Sequence, residues 1–273
     1  MNSWIDGRPA TAIDHRDRGL HYGDGVFETM RVRHRSIRFL DFHLERLSEA
    51  CRRLQLIGPP ATRLRRELVR IAALRPEGVL KVIVTRGIGP RGYRPSPRAR
   101  CTRIISLHPL PRTAAQRLPA PVRVRMCALR LGRNDVLAGL KTLNRLESVL
   151  ARAEWRDPRI WEGLLQDQEG NIVCGTMSNV FMRRGSRLLT PRVDRCGIAG
   201  VMRRWVLSQA AALGLEASEC RLRWQDLERA DEAFLTNAVA GIVPIKAIQQ
   251  GRSRIQLAEH PVSAELHRRL VRQ

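Results

Sequence analysis

Lysine is the residue type in this chain that narrows the possible chemistry most. The 49 basic residues include only three lysines, at positions 81, 141 and 246, and the others are arginine. A lysine amine can form a Schiff base with a carbonyl compound, and apolar surroundings favour its neutral, nucleophilic form. Lys81 lies in an apolar, strand-like run, Lys246 lies between Ile245 and Ala247, and Lys141 precedes a predicted helix. Position alone does not choose among these three candidates.

A glycine-rich segment at residues 87–92, GIGPRG, has the spacing of a dinucleotide-binding loop and follows a predicted strand. Such a loop needs a helix to begin at once, because the helix N-terminus binds the pyrophosphate. The sequence continues with YRPSP, which cannot start that helix. We therefore expect no nicotinamide dinucleotide site and interpret the segment as a mobile loop that covers an anionic substrate.

A second segment, residues 17–29 (DRGLHYGDGVFET), places glycines, aromatic residues and charges directly before a predicted strand. Taken alone, it is equally well interpreted as a loop held together by local hydrogen bonds.

The charge of the chain is unusual, with a formal net charge of +23. A field of this sign attracts polyanions. The arginines are nevertheless spread over the whole chain, and aromatic residues for base stacking make up only 4%. We interpret the arginine content as a compositional bias and expect that nucleic-acid binding is not the main function.

The six cysteines are widely spaced and form no C-x-x-C pair, so we expect neither a disulfide framework nor a structural zinc site. No apolar run is long enough to span a membrane, and the first residues do not have the pattern of a signal peptide. These observations favour a cytoplasmic location.

Hydrophobic patterning predicts strands and helices in both halves of the chain. Helices are predicted at 43–57, 63–74, 142–155, 201–213 and 261–271, and strands at 4–9, 25–32, 36–40, 79–85, 103–107, 122–126, 163–166, 172–174, 179–183 and 231–237. Four prolines between His108 and Pro121 indicate a linker. We therefore predict an α/β (α+β) protein with an N-terminal domain over residues 1–115, a linker at 108–121 and a C-terminal domain over 121–273.

Five segments in order along the chain resemble the fold type IV family of pyridoxal-phosphate enzymes. They are residues 17–29, residues 43–47 (HLERL), residues 141–147 (KTLNRLE), residues 175–181 (GTMSNVF) and residues 197–203 (GIAGVMR). The family includes branched-chain aminotransferases, D-amino acid aminotransferases and aminodeoxychorismate lyases. The resemblance implies two α/β domains, with pyridoxal 5'-phosphate between them and Lys141 in the C-terminal one, and a homodimer.

The resemblance also implies roles for individual residues. Lys141 would be the Schiff-base lysine and the catalytic base. Arg46 would pair with the cofactor phosphate, since a planar guanidinium suits the phosphate oxygens. The phosphate would also be bound by a set of residues at a helix start and at a strand end, namely Ile198, Gly200, Val201, Thr236 and Asn237.

Two segments resemble the lyase branch of the family, namely residues 141–152 and the loop at 86–93. This similarity implies a lyase that converts 4-amino-4-deoxychorismate into 4-aminobenzoate and pyruvate for folate synthesis. The substrate has two carboxylates, and the candidates for binding it are Thr29, Arg31, Arg91 and Tyr93.

One position departs from the family pattern. The family has a glutamate next to the pyridine nitrogen, directly before the Gly-Thr-x-Ser-Asn segment, and this chain has Cys174. An ordinary thiol is mostly neutral at pH 7 and stabilises a pyridinium poorly. We therefore expect a weaker electron sink, which a lyase tolerates because aromatisation drives its reaction. Drift toward weak or lost catalysis is the alternative explanation.

Two other functions stay open at this point. The first is a D-amino acid or branched-chain aminotransferase with the same fold. The second is a basic, nucleic-acid-associated protein with a vestigial cofactor site, for which salt-dependent binding would be the evidence.

Overall fold

The structure, a computed structural model, describes residues 2–111 and 120–273. These residues form two compact units. The first contains residues 2–111 together with Leu140–Asn144, and the second contains residues 120–139 together with Arg145–Gln273. Both units combine helices with a sheet, which confirms the predicted α/β (α+β) class. Within the described ranges, no helix is long and apolar enough to cross a membrane.

The first unit contains a six-stranded antiparallel sheet with the strand order β2-β1-β6-β5-β3-β4. Its elements are β1 (Asn2–Ile5), β2 (Arg8–Pro9), α1 (Arg18–Tyr22), β3 (Gly25–Arg33), β4 (Ser36–Ile37), α2 (Leu40–Arg53), α3 (Ala61–Ala72), β5 (Glu77–Thr85) and β6 (Thr102–His108).

Strand β3 is the strand of this sheet that carries two of the predicted substrate residues, Thr29 and Arg31. Side chains alternate between the two faces of a strand, so Val26, Met30 and Val32 share one face, and all three are buried. Helix α2 contacts β3 and contributes Leu44 and Leu47 to the same core, because apolar residues recur along it with helical spacing.

The second unit contains a mixed sheet with the strand order β12-β11-β10-β13-β14-β7-β8-β9, and β15 pairs with β14. Its elements are β7 (Val122–Leu131), α4 (Leu146–Arg152), β8 (Ile160–Asp167), β9 (Ile172–Gly175), β10 (Asn179–Arg184), β11 (Arg187–Pro191), α5 (Val201–Gln209), β12 (Glu216–Cys220), α6 (Trp224–Glu228), β13 (Glu232–Asn237), β14 (Gly241–Gln250), β15 (Ser253–Gln256) and α7 (Pro261–Val271).

The core of the second unit is formed by the central strands β10, β13 and β14. The rings of Phe181 and Phe234 are fully buried and stack with their centres 5.3 Å apart. Strand β13 pairs with β10 on one side and β14 on the other, so Thr236 lies opposite both Asn179 and Ile242. This pairing places the end of β13 beside the start of β10.

The predicted helix at 142–155 is wrong at its start. Helix α4 begins at Leu146, because residues 141–143 run in extended form beside β3. The apolar side chains that suggested an amphipathic helix do not form a buried face, since Leu146, Val149 and Leu150 are exposed. Only Ala151 of this helix is buried.

The predicted domain boundaries also differ from the two units. Residues Leu140–Asn144, which include Lys141, belong to the first unit rather than to the C-terminal one, because they pair with β3. The predicted linker at 108–121 and the division near residue 115 fall largely on residues 112–119, which lie outside the described residues.

Candidate active site

Lys141 is held beside β3 by backbone hydrogen bonds. The N–H of Phe27 donates to the carbonyl of Lys141 at 3.0 Å, and the N–H of Leu143 donates to the carbonyl of Gly25 at 3.0 Å. Lys141 Nζ lies 4.3 Å from the centre of the Phe27 ring, a distance at which an ammonium group and an aromatic face attract each other. The pairing therefore fixes both the backbone and the direction of the Lys141 side chain.

The two other lysines have different surroundings. Lys81 on β5 lies opposite Thr29 of β3, and its Nζ is 5.3 Å from the centre of the Phe27 ring. Lys246 on β14 of the second unit is exposed to solvent. The structure thus places two of the three candidate amines next to one aromatic ring and leaves the third in water.

A buried charge cluster lies between β3 and α2. Glu28 Oε2 is 2.6 Å from His43 Nδ1, and the carboxylate also accepts from Arg46 Nε at 2.7 Å and from Arg46 Nη2 at 2.6 Å. Burial alone would raise the pKa of Glu28, but the charge of Arg46 and the hydrogen bonds from His43 and Arg46 lower it to about 2. Burial lowers the pKa of His43, and Glu28 opposes this shift only in part. Glu28 is therefore an anion that orients both side chains of α2.

Arg46, predicted to bind the cofactor phosphate, thus pairs with Glu28 through two of its nitrogens in this structure. Its role toward a phosphate stays a prediction. No role was predicted from the sequence for Glu28 or His43. The signal for Glu28 was present, since it is a lone carboxylate at a core-facing position of an alternating strand.

The predicted substrate residues of β3 lie on the face of the strand that also bears Phe27. Thr29 is half-buried, and Arg31 is buried with its Nη2 3.6 Å from Glu77 Oε2. Burial lowers the pKa of Arg31, and Glu77 opposes this shift. Arg31 and Thr29 are two residues apart, so their side chains lie on the same side of the sheet as the ring beside Lys141.

The loop between β5 and β6 contains the other two substrate candidates, Arg91 and Tyr93. Both side chains are exposed, and no helix begins in this loop. Arg18 Nη1 and Nη2 donate to the carbonyls of Gly92 and Tyr93 at 2.8 and 2.9 Å. The segment predicted as mobile is thus tied to α1 by a buried arginine. The substrate roles of Arg91 and Tyr93 stay predictions.

The segment at residues 17–29 also helps to hold the loop between β5 and β6 in place. Asp17 is buried, caps α1 through the N–H of Gly19 at 2.8 Å, and accepts from the hydroxyls of Thr85 and Thr102 at 2.9 and 2.7 Å. Residues 18–22 of this segment form the short helix α1 rather than the loop that was one interpretation of the sequence, although local hydrogen bonds do hold it. Residues 25–29 form the start of β3.

In the second unit, the start of α5 has backbone N–H groups that no side chain caps. Gly200 is the N-cap residue of this helix. The first N–H groups of a helix have no partner within it and favour negative charge. Asn179 Nδ2 donates to the carbonyl of Ile198 at 2.8 Å, and a Cβ at Gly200 would lie 2.1 Å from Asn179 Oδ1. A side chain at position 200 would displace the Asn179 amide, so glycine lets Asn179 lie close to the first residue of α5.

The end of β13 adds a hydroxyl to the same region, because Thr236 lies opposite Asn179. Thr236 is buried, and its Oγ1 has no hydrogen-bond partner among the described residues. The structure thus brings together Ile198, Gly200, Val201 and Thr236. Asn237 has a different contact, since its Oδ1 accepts from the N–H groups of Val239 and Ala240 at 3.0 and 2.7 Å and closes the turn before β14.

Cys174 lies on β9, opposite Leu165 of β8, in a buried cluster that also contains Cys127 and Cys196. Burial, together with the nearby Cys196 and Glu162, raises the pKa of the Cys174 thiol to about 12. The thiol is therefore neutral at pH 7. Its position relative to a bound cofactor stays a prediction.

Glu162 is a functional candidate that the sequence analysis missed. It is fully buried on β8, and its carboxylate accepts from Thr176 Oγ1 at 2.5 Å, from Ser178 Oγ at 2.8 Å and from the N–H of Met177 at 3.1 Å. These bonds hold the turn that follows Cys174. A single acidic residue within the apolar run IWEGLL was the available signal.

Metal ligation has no support in the part of the chain that the structure describes. No group of three or more histidine, cysteine, aspartate and glutamate side chains is close enough there to bind a metal ion.

Comparison with known proteins identifies the family. A family model described as amino-transferase class IV matches residues 25–248. An aminodeoxychorismate lyase from Vibrio harveyi is 31% identical over 253 residues, which cover 92% of this chain and 93% of the relative. A D-alanine aminotransferase from Bacillus licheniformis is 26% identical and covers 91% of this chain and 87% of its own length.

A solved structure is also similar over nearly the full length. The crystal structure of 4-amino-4-deoxychorismate lyase from Pseudomonas aeruginosa is 42% identical, with a TM-score of 0.90, and the match covers 98% of this chain and 97% of that one. With a family model matching most of its residues and relatives of this identity, the chain belongs to the amino-transferase class IV family.

Proposed function

We propose that this protein is a pyridoxal-phosphate-dependent lyase that converts 4-amino-4-deoxychorismate into 4-aminobenzoate and pyruvate. The observation that supports this most directly is the attachment of residues 141–143 to β3, which holds the Lys141 amine beside the Phe27 ring. The lyases from Vibrio harveyi and Pseudomonas aeruginosa are the relatives whose similarity supports the choice of reaction.

The residues present fit pyridoxal phosphate. Its phosphate requires hydrogen-bond donors, and Thr236 offers a buried hydroxyl without a partner in the described chain. The N–H groups at the start of α5 are further donors, with Gly200 leaving room for a close approach. In the second unit we assign the phosphate to Ile198, Gly200, Val201 and Thr236. In the first unit, Lys141 is the amine that would react with an aldehyde.

Pyridoxal phosphate, when bound, would supply an electron-accepting ring beside the substrate amine. The Lys141 amine would act as the base that removes the proton from the substrate carbon bearing that nitrogen. The electron pair of this C–H bond enters the ring of the substrate, and the C–O bond to the enolpyruvyl group on the neighbouring carbon breaks. Lys141 then returns a proton to the enolpyruvate, which becomes pyruvate. No oxidant is needed, because aromatisation and C–O cleavage balance each other.

The neutral thiol of Cys174 favours a lyase over an aminotransferase in this proposal. An aminotransferase must keep negative charge on the cofactor ring while a proton moves, and an uncharged residue at the ring nitrogen supports that charge poorly. In the lyase reaction the same electrons leave with the enolpyruvyl group when the C–O bond breaks, so the ring does not have to hold them. Burial, which raises the pKa of Cys174 to about 12, keeps the thiol uncharged at every physiological pH.

Product analysis tests the proposal. The substrate would be generated in place for the protein loaded with pyridoxal phosphate, and 4-aminobenzoate and pyruvate would be measured together. We expect equal amounts of both, none from Lys141→Ala, and wild-type amounts from the exposed control Lys246→Ala. Bound cofactor without 4-aminobenzoate would instead favour a D-amino acid or branched-chain aminotransferase. Failure to bind the cofactor would contradict both enzymes.

We further infer that the protein acts as a homodimer in the cytoplasm and supplies folate synthesis. Helix α4 supports a contact with a second copy, because Leu146, Val149 and Leu150 are 75%, 61% and 60% exposed on one short helix. Sedimentation of Leu150→Glu tests this assignment, and a dimer as stable as the wild type would contradict it.

A further inference from the structure

The backbone just before α5 is held by Gly139, which lies far from it in the sequence. The N–H of Gly139 donates to the carbonyl of Gly197 at 3.0 Å, and the N–H of Ala199 donates to the carbonyl of Gly139 at 3.0 Å. Gly139 and Ile198 thus form a parallel bridge outside the named strands. All four residues belong to the second unit, so the bridge fixes the backbone of residues 197–199 within that unit.

The backbone conformation at position 139 favours glycine. Its φ is +81°, in the left-handed region that residues with a side chain rarely adopt. Crowding is not the reason, because a Cβ at Gly139 would meet only the carbonyl oxygen of Val193 at 3.7 Å and the Cβ of Ala199 at 3.8 Å, which are ordinary contacts. A side chain at this position would therefore disturb the bridge through backbone strain.

Asn179 holds the same backbone from the other side. It is the first residue of β10, its side chain is buried, and its Nδ2 donates to the carbonyl of Ile198 at 2.8 Å. In a trans peptide group the carbonyl and the N–H point in opposite directions. The peptide group between Ile198 and Ala199 is therefore bonded at both ends, to Asn179 through its oxygen and to Gly139 through its nitrogen.

The hydrogen-bond donors next to this peptide group have no protein partner. The N–H groups of Ile198, Gly200 and Val201 donate to no described residue. Thr236, which lies opposite Asn179 on the neighbouring strand, is buried, and its hydroxyl has no partner among the described residues either. An anion that accepts from these donors would satisfy them.

We propose that Gly139 and Asn179 are positioning residues of the phosphate site in the second unit. They hold the peptide group between Ile198 and Ala199 from both ends, and so keep the unpaired N–H groups beside it in a fixed arrangement before the ligand binds. Such preorganisation increases affinity, because the backbone loses less freedom on binding. The identity of the anion rests on the proposed function, in which pyridoxal phosphate is the cofactor, and neither residue has to contact it.

Two glycines with the same backbone conformation provide a matched pair of variants. Gly170 lies in the turn between β8 and β9 with a φ of +84°, and a Cβ there would meet only Arg130 Nη1 at 3.8 Å. Gly139→Ala and Gly170→Ala should therefore lower the thermal stability by similar amounts. Only Gly139→Ala should weaken the binding of pyridoxal phosphate, by about tenfold, the effect of one lost charge-assisted hydrogen bond. Spectrophotometric titration of the full-length, cofactor-free protein measures this affinity.

Pyridoxal, which lacks the phosphate, separates an effect on the phosphate site from general damage to the fold. The affinity of Gly139→Ala for pyridoxal should match that of the wild type. Asn179→Ala should likewise weaken the binding of pyridoxal phosphate about tenfold and leave that of pyridoxal unchanged. Its control is Asn171→Ala, because Asn171 is a buried asparagine whose Nδ2 donates to Asp167 instead. The control should bind both compounds like the wild type.

The outcomes distinguish the positioning role from the lyase. Unchanged affinity for pyridoxal phosphate in Gly139→Ala and Asn179→Ala would overturn the proposal, as would equal losses for pyridoxal phosphate and pyridoxal. A loss in Gly170→Ala as large as that in Gly139→Ala would also overturn it, because strain alone would then explain the effect. A dependence on both residues without any 4-aminobenzoate production would support the positioning role and contradict only the lyase. Lyase turnover with unchanged cofactor affinity in both variants would contradict the positioning role and leave the lyase intact.

Discussion

The Nζ atom of Lys141 lies 4.3 Å from the centre of the Phe27 ring, and the backbone N–H of Phe27 donates to the carbonyl of Lys141 at 3.0 Å. One residue of β3 thus holds the lysine through its main chain and directs it through its side chain. The two residues are 114 positions apart in the sequence. The Lys141 amine consequently belongs to the first unit, although the chain before Leu140 and after Asn144 belongs to the second.

Replacement of the ring tests this relationship. Phe27→Leu removes the aromatic face and keeps an apolar side chain, and a contact of this kind contributes about 1 kcal/mol. We expect the affinity for pyridoxal phosphate to fall about fivefold, measured by titration of the absorbance of the bound cofactor. Phe42→Leu alters another half-buried phenylalanine of the first unit, which stacks on Phe39, and should bind the cofactor like the wild type. Equal affinities for both variants would show that the ring does not orient Lys141.

The buried Glu28 carboxylate predicts a pH dependence of stability. Its pKa is lowered from 4.5 to about 2 by Arg46 and His43, against the effect of burial. A lowered folded-state pKa stabilises the protein above the unfolded-state value, and this contribution is lost as the pH falls from about 4.5 toward 2. Glu28→Gln should remove this acid-sensitive component and lower the free energy of unfolding at pH 7 by about 3 kcal/mol.

Urea denaturation at several pH values would measure both effects. Glu49→Gln is the control, because Glu49 pairs with Arg52 on the exposed face of α2 and should show no measurable change. A Glu28→Gln profile parallel to that of the wild type between pH 5 and 2 would contradict the assignment of the acid-sensitive component to Glu28.

The unpartnered hydroxyl of Thr236 predicts opposite effects on stability and binding. Thr236→Val keeps the shape of the side chain and removes a buried polar group without a partner, so the cofactor-free protein should gain about 1 kcal/mol. If this hydroxyl donates to the phosphate, the affinity for pyridoxal phosphate should fall about tenfold. Thermal unfolding and cofactor titration give the two values.

Thr190→Val is the matched control for Thr236→Val. Thr190 is also buried, but its hydroxyl donates to the carbonyl of Val180 at 2.8 Å. Its replacement should destabilise the protein without changing cofactor affinity. Destabilisation by Thr236→Val, with unchanged affinity, would mean that this hydroxyl has another role.

Substitution of Cys174 should change the absorbance spectrum of the bound cofactor. Cys174→Glu should restore a charged partner for the pyridine nitrogen, shift the absorbance spectrum of the bound cofactor and increase transamination as a side reaction. Cys174→Ser, which stays neutral, should keep the wild-type spectrum. A spectrum that is the same in all three proteins would show that residue 174 does not face the ring nitrogen.

The fold could be predicted from the sequence where one element buries one periodic face. Helix α7 has the predicted bounds, and β5 and β13 lie within two residues of theirs. Short elements with little apolar character, such as β12, α6 and β15, were missed because four or five residues with at most one buried side chain produce no clear period. The helix at 142–155 was predicted too long because periodicity alone cannot detect that residues 141–143 pair with a distant strand.

The candidate site, like the fold, could be predicted from the sequence only in part. The sequence by itself determined the candidate amines, because only three lysines exist, and the order of the motifs that mark the family. Tertiary structure decided that Lys141 meets Phe27, that Arg46 meets Glu28, and that Gly139 meets the segment before α5. A local sequence pattern contains information only about the spacing of a residue from its neighbours in the chain. Which residue a charged side chain contacts depends on strand pairing and helix packing between segments that are far apart in sequence, so the local pattern cannot predict it.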